Sequence, residues 1–385
     1  MSGQPTIALV AGEASGDQLG GKLIEALRCH YPQARFCGVG GEHMRRAGFE
    51  TWWDREELSI MGLSEVLKHL PRLVKLRRAL LARLVAEKPD VLIGIDAPDF
   101  NLGLELKAKR AGIPTVHYVS PTVWAWRSGR TRKIARATNL VLCLFPFEPA
   151  FLEARGVKAR YTGHPMADVI ANNPDRLQAR QILGLAENGP YVALLPGSRQ
   201  SEVSRLAPDL VESAALLAGQ DPSIRFVAAL ADERTATLFR AVVATHANLN
   251  CDIVTGRSLE AMAAADVVVC ASGTASLECM LVNRPMIVVY KVSPTTQWLM
   301  RGLKLLKSRF IALPNILAGE QLVPELIQEH ANATAIAREV TRWLDDPRRC
   351  ADLQERFKAI HETLRCDAAS SAAQAIAGFM QDERG

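Results

Sequence analysis

The stretch YVALLPGSRQSEVSRL, Tyr191 to Leu206, is an apolar run that breaks at Pro196-Gly197 and restarts with Ser198, Arg199, Gln200 and Glu202. A strand, a turn of small residues and a helix start leave backbone N–H groups without partners. Those groups suit an anion such as a phosphate, and the Arg199 guanidinium can join them. A capped turn carrying one surface arginine accounts for the same residues. ASGTASLEC, Ala271 to Cys279, repeats the pattern. Ser272, Gly273, Thr274 and Ser276 offer hydroxyls and N–H groups at a second helix start. Glu278 is expected on the first turn, on the face of Thr274, within reach of a ribose diol. With Gly197, Ser198 and Arg199 these residues describe a nucleoside-diphosphate site.

The first half has turns of other chemistry. GEASGD, Gly12 to Asp17, lacks the GxGxxG spacing, and Glu13 and Asp17 would repel a pyrophosphate. Glu13, Ser15 and Asp17 better suit a ligand rich in hydroxyls, unless Ser15 and Asp17 only cap the helix. In GIDAPDFN, Asp96 stands where a strand leaves its sheet and can accept a proton from a substrate hydroxyl. Asp99 is the competing carboxylate, and it fits a helix cap better. VSPTVWAWRSGR sets Trp124 and Trp126 beside arginines, a pairing that suits an acyl chain or sugar next to a phosphate. Packing within the loop is the other reading for each tryptophan. In ALPNILAG, Asn315 sits in a rigid turn that either completes the binding surface or is only a turn.

These turns need strands to carry them. TIALVAG, RFCGVGG, DVLIGIDAPDF, PTVHYVSP and NLVLCLFPFE alternate with helical stretches, the longest from about Gly62 to Glu87. The rhythm breaks near Pro165, Asn172, Asn173 and Pro174, then resumes in YVALLPG, RFVAAL, CDIVTG, DVVVCASG and PMIVVYKV. It predicts an α/β protein with two Rossmann-like, doubly wound parallel sheets. The expected domains are 1–165, 166–346 and a helical tail, 347–385, packing back on the N-terminal domain of its own or a partner chain, which allows a homodimer. Ligands of open parallel sheets bind at the carboxyl ends of the strands, so two such domains are expected to face a cleft.

The 385 residues, 48% hydrophobic and 23% charged, fit a two-domain globular enzyme. A net charge of +5 permits a phosphorylated ligand and does not call for nucleic acid. Eight cysteines without a CxxC pair read as buried thiols of a reducing compartment. Eight histidines show no metal-ligand spacing, so neither metal nor other cofactor is expected. No signal peptide is evident, and no apolar run reaches the roughly 20 residues that span a bilayer. Two basic, apolar stretches, Lys68 to Lys88 and Gln297 to Arg309, suit an anionic membrane surface or a core helix with a solvated basic face.

VAGEASGD, GIDAPDFN, HYVSPTVWAWR, LLPGSRQSEV, ASGTASLECML and LPNILAG occur in order along essentially the whole chain, and together they resemble the lipid A disaccharide synthase family. The resemblance implies an inverting glycosyltransferase of the GT-B type at the cytoplasmic face of the inner membrane. It implies UDP-diacylglucosamine as donor and diacylglucosamine 1-phosphate (lipid X) as acceptor. Asp96 is then the base, and Arg199 meets the leaving diphosphate. Glu13, Ser15, Asp17, Trp124, Trp126 and Asn315 fall on the acceptor side. A UDP-GlcNAc epimerase or another sugar-nucleotide protein of the same plan is the alternative.

Overall fold

The computed structural model describes residues 4–58, 63–124, 128–293 and 309–383, with side chains from 63 to 70 and at 128 left aside. Its chain forms two compact units, residues 1–168 with 364–385 and residues 169–363. The first holds seven parallel strands: β1 Thr6–Ala11, β2 Arg35–Gly40, β3 Glu50–Asp54, β4 Val91–Ile95, β5 Thr115–Tyr118, β6 Leu140–Cys143 and β7 Ala159–Tyr161. Their order is β3-β2-β1-β4-β5-β6-β7. The second holds six: β8 Tyr191–Leu195, β9 Arg225–Leu230, β10 Cys251–Thr255, β11 Val267–Ala271, β12 Met286–Tyr290 and β13 Glu325–Ile327. They run parallel in the order β10-β9-β8-β11-β12-β13. In both sheets the chain winds outward one way and then returns to wind the other. The reversal falls between β1 and β4 in the first unit and between β8 and β11 in the second, and such crevices receive ligands.

Composition explains the central strands. All residues of β4, β8 and β11 are buried, as helices on both faces require. Each fully buried valine, leucine or isoleucine contributes roughly 1.5–3 kcal/mol. The long helix spans Leu63–Glu87. It buries Leu76, Leu80 and Leu84 at helical spacing and leaves Arg72, Lys75 and Arg78 exposed. Arg83 lies 4.3 Å from the Trp52 ring. The described part thus buries one apolar face and leaves a basic face exposed. Gln297 to Ser308 lies outside the described residues. Among the described residues no helix is long and apolar enough to cross a membrane. Cys37, Cys143, Cys270 and Cys279 are buried, whereas Cys29 is exposed.

The helical tail differs from expectation. Helix Pro347–Leu364 goes with the second unit up to Thr363, and the return to the first begins at Leu364, not at 347. Helix Ala368–Asp382 then inserts Ala372, Ala373, Ile376 and Met380 into the core that holds Leu23, Ile24 and Leu27. The Asp168 carboxylate accepts from the N–H groups of Asp367 and Ala368 at 3.0 and 2.7 Å and fixes that helix start. The Asn173-Pro174 link is held within the second unit by buried Arg284, which donates to Asn173 Oδ1 at 2.7 Å and Pro174 O at 2.9 Å.

One polar pair sits inside the first core. Glu105 and His117 are buried, with Oε1 and Nδ1 2.7 Å apart. Gly94, opposite His117 in the sheet, makes room for them. A β-carbon there would overlap the Glu105 carboxylate and lie 3.0 Å from Asn101 Cβ. Gly94→Ala should therefore lower the unfolding free energy by roughly 2–3 kcal/mol in urea titration. An unchanged midpoint would show that the pair can move aside.

Candidate functional site

In the second unit a pocket of about 410 Å³ opens at the reversal between β8 and β11. It is lined by Gly197, Ser198, Arg199 and Glu202 after β8 and by Ser272, Gly273, Thr274 and Glu278 after β11. The two motifs read as one site from sequence thus share one cavity. Ala229 to Ala231 at the end of β9 and Gly256 and Ser258 after β10 complete the wall. Sequence reasoning passed over them; the signal was their place at or just after the ends of apolar strands.

The turn after β8 shows how the site is held. Gly197 has φ +111, a conformation that favours glycine, and a β-carbon there would meet Glu202 Oε2 at 2.6 Å. The Glu202 carboxylate accepts from the N–H groups of Ser198 and Arg199, both at 3.2 Å, and pairs with the Arg199 guanidinium at 3.2 Å. An acid of the chain therefore sits where an anionic ligand was expected. Arg199 itself is largely exposed, its side chain 79% accessible.

The turn after β11 divides its residues. Gly273, φ +140, caps helix Thr274–Leu281 and has open space where a side chain would be. Ser272 donates to Ile311 O at 3.2 Å. Ser276 is buried, donates to Gly273 O at 2.8 Å and does not line the pocket, so it braces the turn. Glu278 is the fifth residue of the helix, hence on the second turn instead of the first. Burial pushes its carboxyl up from the ordinary range.

Asn315 belongs to this unit too, and it is fully buried. Its Nδ2 donates to Val323 O and Glu325 Oε1 at 3.0 and 2.8 Å, and its Oδ1 accepts from Leu322 N and Val323 N at 2.8 and 2.9 Å. All of its hydrogen-bonding capacity is used. It cannot face an acceptor. Instead it fixes Glu325, which holds the N–H groups of Ile311 and Ala312, and Ile311 in turn holds Ser272.

In the first unit, Asp96 and Ala97 both have positive φ, +51 and +43, directly after β4. Val119, after neighbouring β5, has φ +79. Left-handed backbone at three non-glycine residues stores strain, which clusters at functional sites. Asn101 donates to the carbonyls of Val10, Ile95 and Asp96 at 3.3, 3.2 and 2.9 Å and pins the Asp96 turn to β1. Glu13 and Ser15 are exposed after β1, across the reversal from Asp96, which is half-buried. Asp99 lies within helix Pro98–Arg110 and pairs with Arg130 at 2.9 Å, so it caps nothing.

Asp17 turns its carboxylate onto backbone groups of its own chain. It is 1% exposed, and its carboxylate accepts from Gly41, His43 and Met44 N–H groups at 2.7, 3.0 and 3.2 Å. It caps helix Glu42–Arg46 and not its own, a contact 24 to 27 residues away that chain spacing does not reveal. Trp124 is half-buried and donates from Nε1 to Glu148 Oε1 at 3.1 Å. Trp126 lies outside the described residues. Glu148 was not singled out from sequence, because a Glu at a helix start reads as an ordinary cap.

A diphosphate that takes the Ser198 and Arg199 N–H groups must displace the Glu202 carboxylate. Glu202→Gln should then bind UDP about ten-fold more tightly by calorimetry, and Arg199→Ala about ten-fold more weakly, with Arg199→Lys between Ala and wild type. Weaker binding by Glu202→Gln would instead make that carboxylate a ligand contact.

The family model of lipid-A-disaccharide synthetase matches residues 7–376. Lipid-A-disaccharide synthases from Xylella fastidiosa and Haemophilus ducreyi are 49% and 48% identical to the chain, covering 98% and 97% of it and 98% and 96% of their own lengths. Among solved structures, a UDP-GlcNAc 2-epimerase from Neisseria meningitidis bound to UDP-GlcNAc aligns with TM-score 0.61 at 13% identity, over 98% of this chain and 100% of that one. A glycosyltransferase from Rickettsia africae aligns with TM-score 0.59 at 11% identity, over 98% and 99%. These two likenesses show the fold, the two α/β units of GT-B proteins. By its motifs, by the family match over almost its whole length and by relatives near half identity, the chain belongs to the lipid-A-disaccharide synthetase family.

Proposed function

We propose that the chain joins UDP-2,3-diacylglucosamine to 2,3-diacylglucosamine 1-phosphate, giving the β-1,6-linked tetraacyl disaccharide 1-phosphate and UDP. The observation that carries the donor half is the pocket at the β8–β11 reversal, with Arg199, the Gly273–Thr274 helix start and Glu278 in its wall. UDP lies there, its diphosphate on Arg199 and the helix start, its ribose on Glu278. The acceptor is taken up by the first unit, beside Glu13, Ser15 and Trp124.

The reaction is a single displacement. Asp96 takes the proton of the acceptor's primary hydroxyl as its oxygen attacks the anomeric carbon. The bond from that carbon to the diphosphate breaks on the opposite face, which inverts the centre. Negative charge moves onto UDP and is met by Arg199 and the helix start, a role that supplies several kcal/mol. The strained Asp96–Ala97 backbone, pinned by Asn101, supports Asp96 as the base. Asp99 is tied to Arg130.

Asp96→Asn should bind UDP normally and lose about 10²–10⁴-fold in transfer, measured as disaccharide formed from defined donor and lipid X. If Asp96→Asn turns over normally and Asp99→Asn does not, the base is the other carboxylate. The epimerase reading has the Neisseria likeness behind it. Conversion of a UDP-sugar without any acceptor would favour it.

Acylated substrates put the reaction at a lipid surface, so the enzyme works at the cytoplasmic face of the inner membrane as a peripheral protein. Exposed Arg72, Lys75 and Arg78 each add roughly 1 kcal/mol near anionic lipid. The wild type should float with anionic vesicles, less so in high salt. Trp298→Ser with Met300→Ser should weaken flotation and spare UDP binding. Full flotation by that folded double variant moves the contact to the Arg72 helix.

A further inference from the structure

Glu148 opens helix Glu148–Glu153, just past the carboxyl end of β6, and is 1% exposed. Its Oε1 accepts from Trp124 Nε1 at 3.1 Å, and its Oε2 accepts from Phe145 N at 3.1 Å. The carboxylate thus ties the segment after β5 to the turn after β6. Rings continue the tie. Trp124 meets Phe147 edge-on with centroids 5.1 Å apart, and Phe147 stacks on Phe145 at 5.8 Å. Trp124 and Phe147 are both half-buried, so neither is sealed in the core.

Among the described residues, the groups that act on Glu148 include Ser120 after β5, the Leu144 and Phe145 N–H groups after β6, Trp124 and the Cys143 thiol of β6. None of them is basic. Burial drives the Cys143 thiol well above its ordinary value, so it stays neutral. His164, 5.4 Å from Phe145, is pushed down to about 4 by burial and is neutral as well. Glu153 is the next acid on the same helix. Burial pushes the Glu148 carboxyl up to about 7.

We propose that Glu148 is a positioning residue for the acceptor, its carboxylate fixing the Trp124 indole as part of an apolar wall for an acyl chain. This rests on the reading of the first unit as the acceptor side. The ionised carboxylate holds two N–H donors strongly, and the neutral acid holds them about half as well. Below the titration of Glu148 the indole is held loosely and the wall is less defined. Acceptor binding weakens while the reacting groups stay in place.

The test is steady-state kinetics of the full chain with lipid X on either side of pH 7, together with tryptophan fluorescence of the wild type minus Trp124→Phe. In the wild type the acceptor KM should rise about five-fold on the acid side, with kcat and donor KM not following that step. Glu148→Gln should keep the raised KM at every pH. Trp124→Phe should lose the pH step, because the indole N–H is gone. The difference fluorescence should titrate near pH 7 and be flat in Glu148→Gln. A wild-type KM profile in Glu148→Gln, or a fall in kcat at unchanged KM, overturns the proposal. Should Glu148→Gln not fold, a pH step that survives in Trp124→Phe overturns it equally. A fluorescence change that titrates while no acceptor KM responds refutes the positioning role, yet it leaves the donor site and Asp96, which are tested separately, untouched.

Discussion

Parallel strands covered by helices on both faces leave no room for chemistry along their length. In β4, β8 and β11 every residue is buried. Polar groups are therefore pressed to the strand ends, and the winding order decides which ends lie beside an open crevice. That constraint puts Glu13 and Asp96 about one reversal and Arg199 and Gly273 about the other. Glu105 and His117 breach the rule in the first core, and Gly94 is the residue that admits them.

A second set of polar residues holds the turns without facing a ligand. Asn315 fixes Glu325, Glu325 fixes Ile311, and Ile311 accepts from Ser272. Asn101 pins the Asp96 carbonyl to the end of β1. Each such bond contributes only about 1 kcal/mol net. Several acting on one turn can offset the roughly 1–3 kcal/mol that a left-handed residue such as Asp96 or Val119 costs.

The central strands and the two-domain plan were legible in the sequence because short apolar runs that break at small residues suit buried parallel strands and little else. The short edge strands β3, β7 and β13 were not, since residues such as Glu50 and Arg160 interrupt any apolar pattern. The pocket residues after β8 and β11 were legible as turn chemistry. The duties of Asp17, Ser276 and Asn315 were not. Each has a side chain suited to a ligand; Ser276 spends it on the carbonyl of its own turn, Asn315 on residues 322 to 325 and Asp17 on N–H groups that only the folded chain brings near. Glu202 was visible as an acid near a helix start, but its seat on the Ser198 and Arg199 N–H groups depends on the left-handed Gly197.

The return of the chain to its first unit has a consequence for synthesis. Ala372, Ala373, Ile376 and Met380 fill the same core as Leu23, Ile24 and Leu27, and Asp168 waits for the N–H groups of Asp367 and Ala368. A ribosome delivers residues in order, and N-terminal domains ordinarily fold first. Here the second unit has all of its residues earlier. The half that starts first is finished last, and until then its apolar helix face lacks its cover.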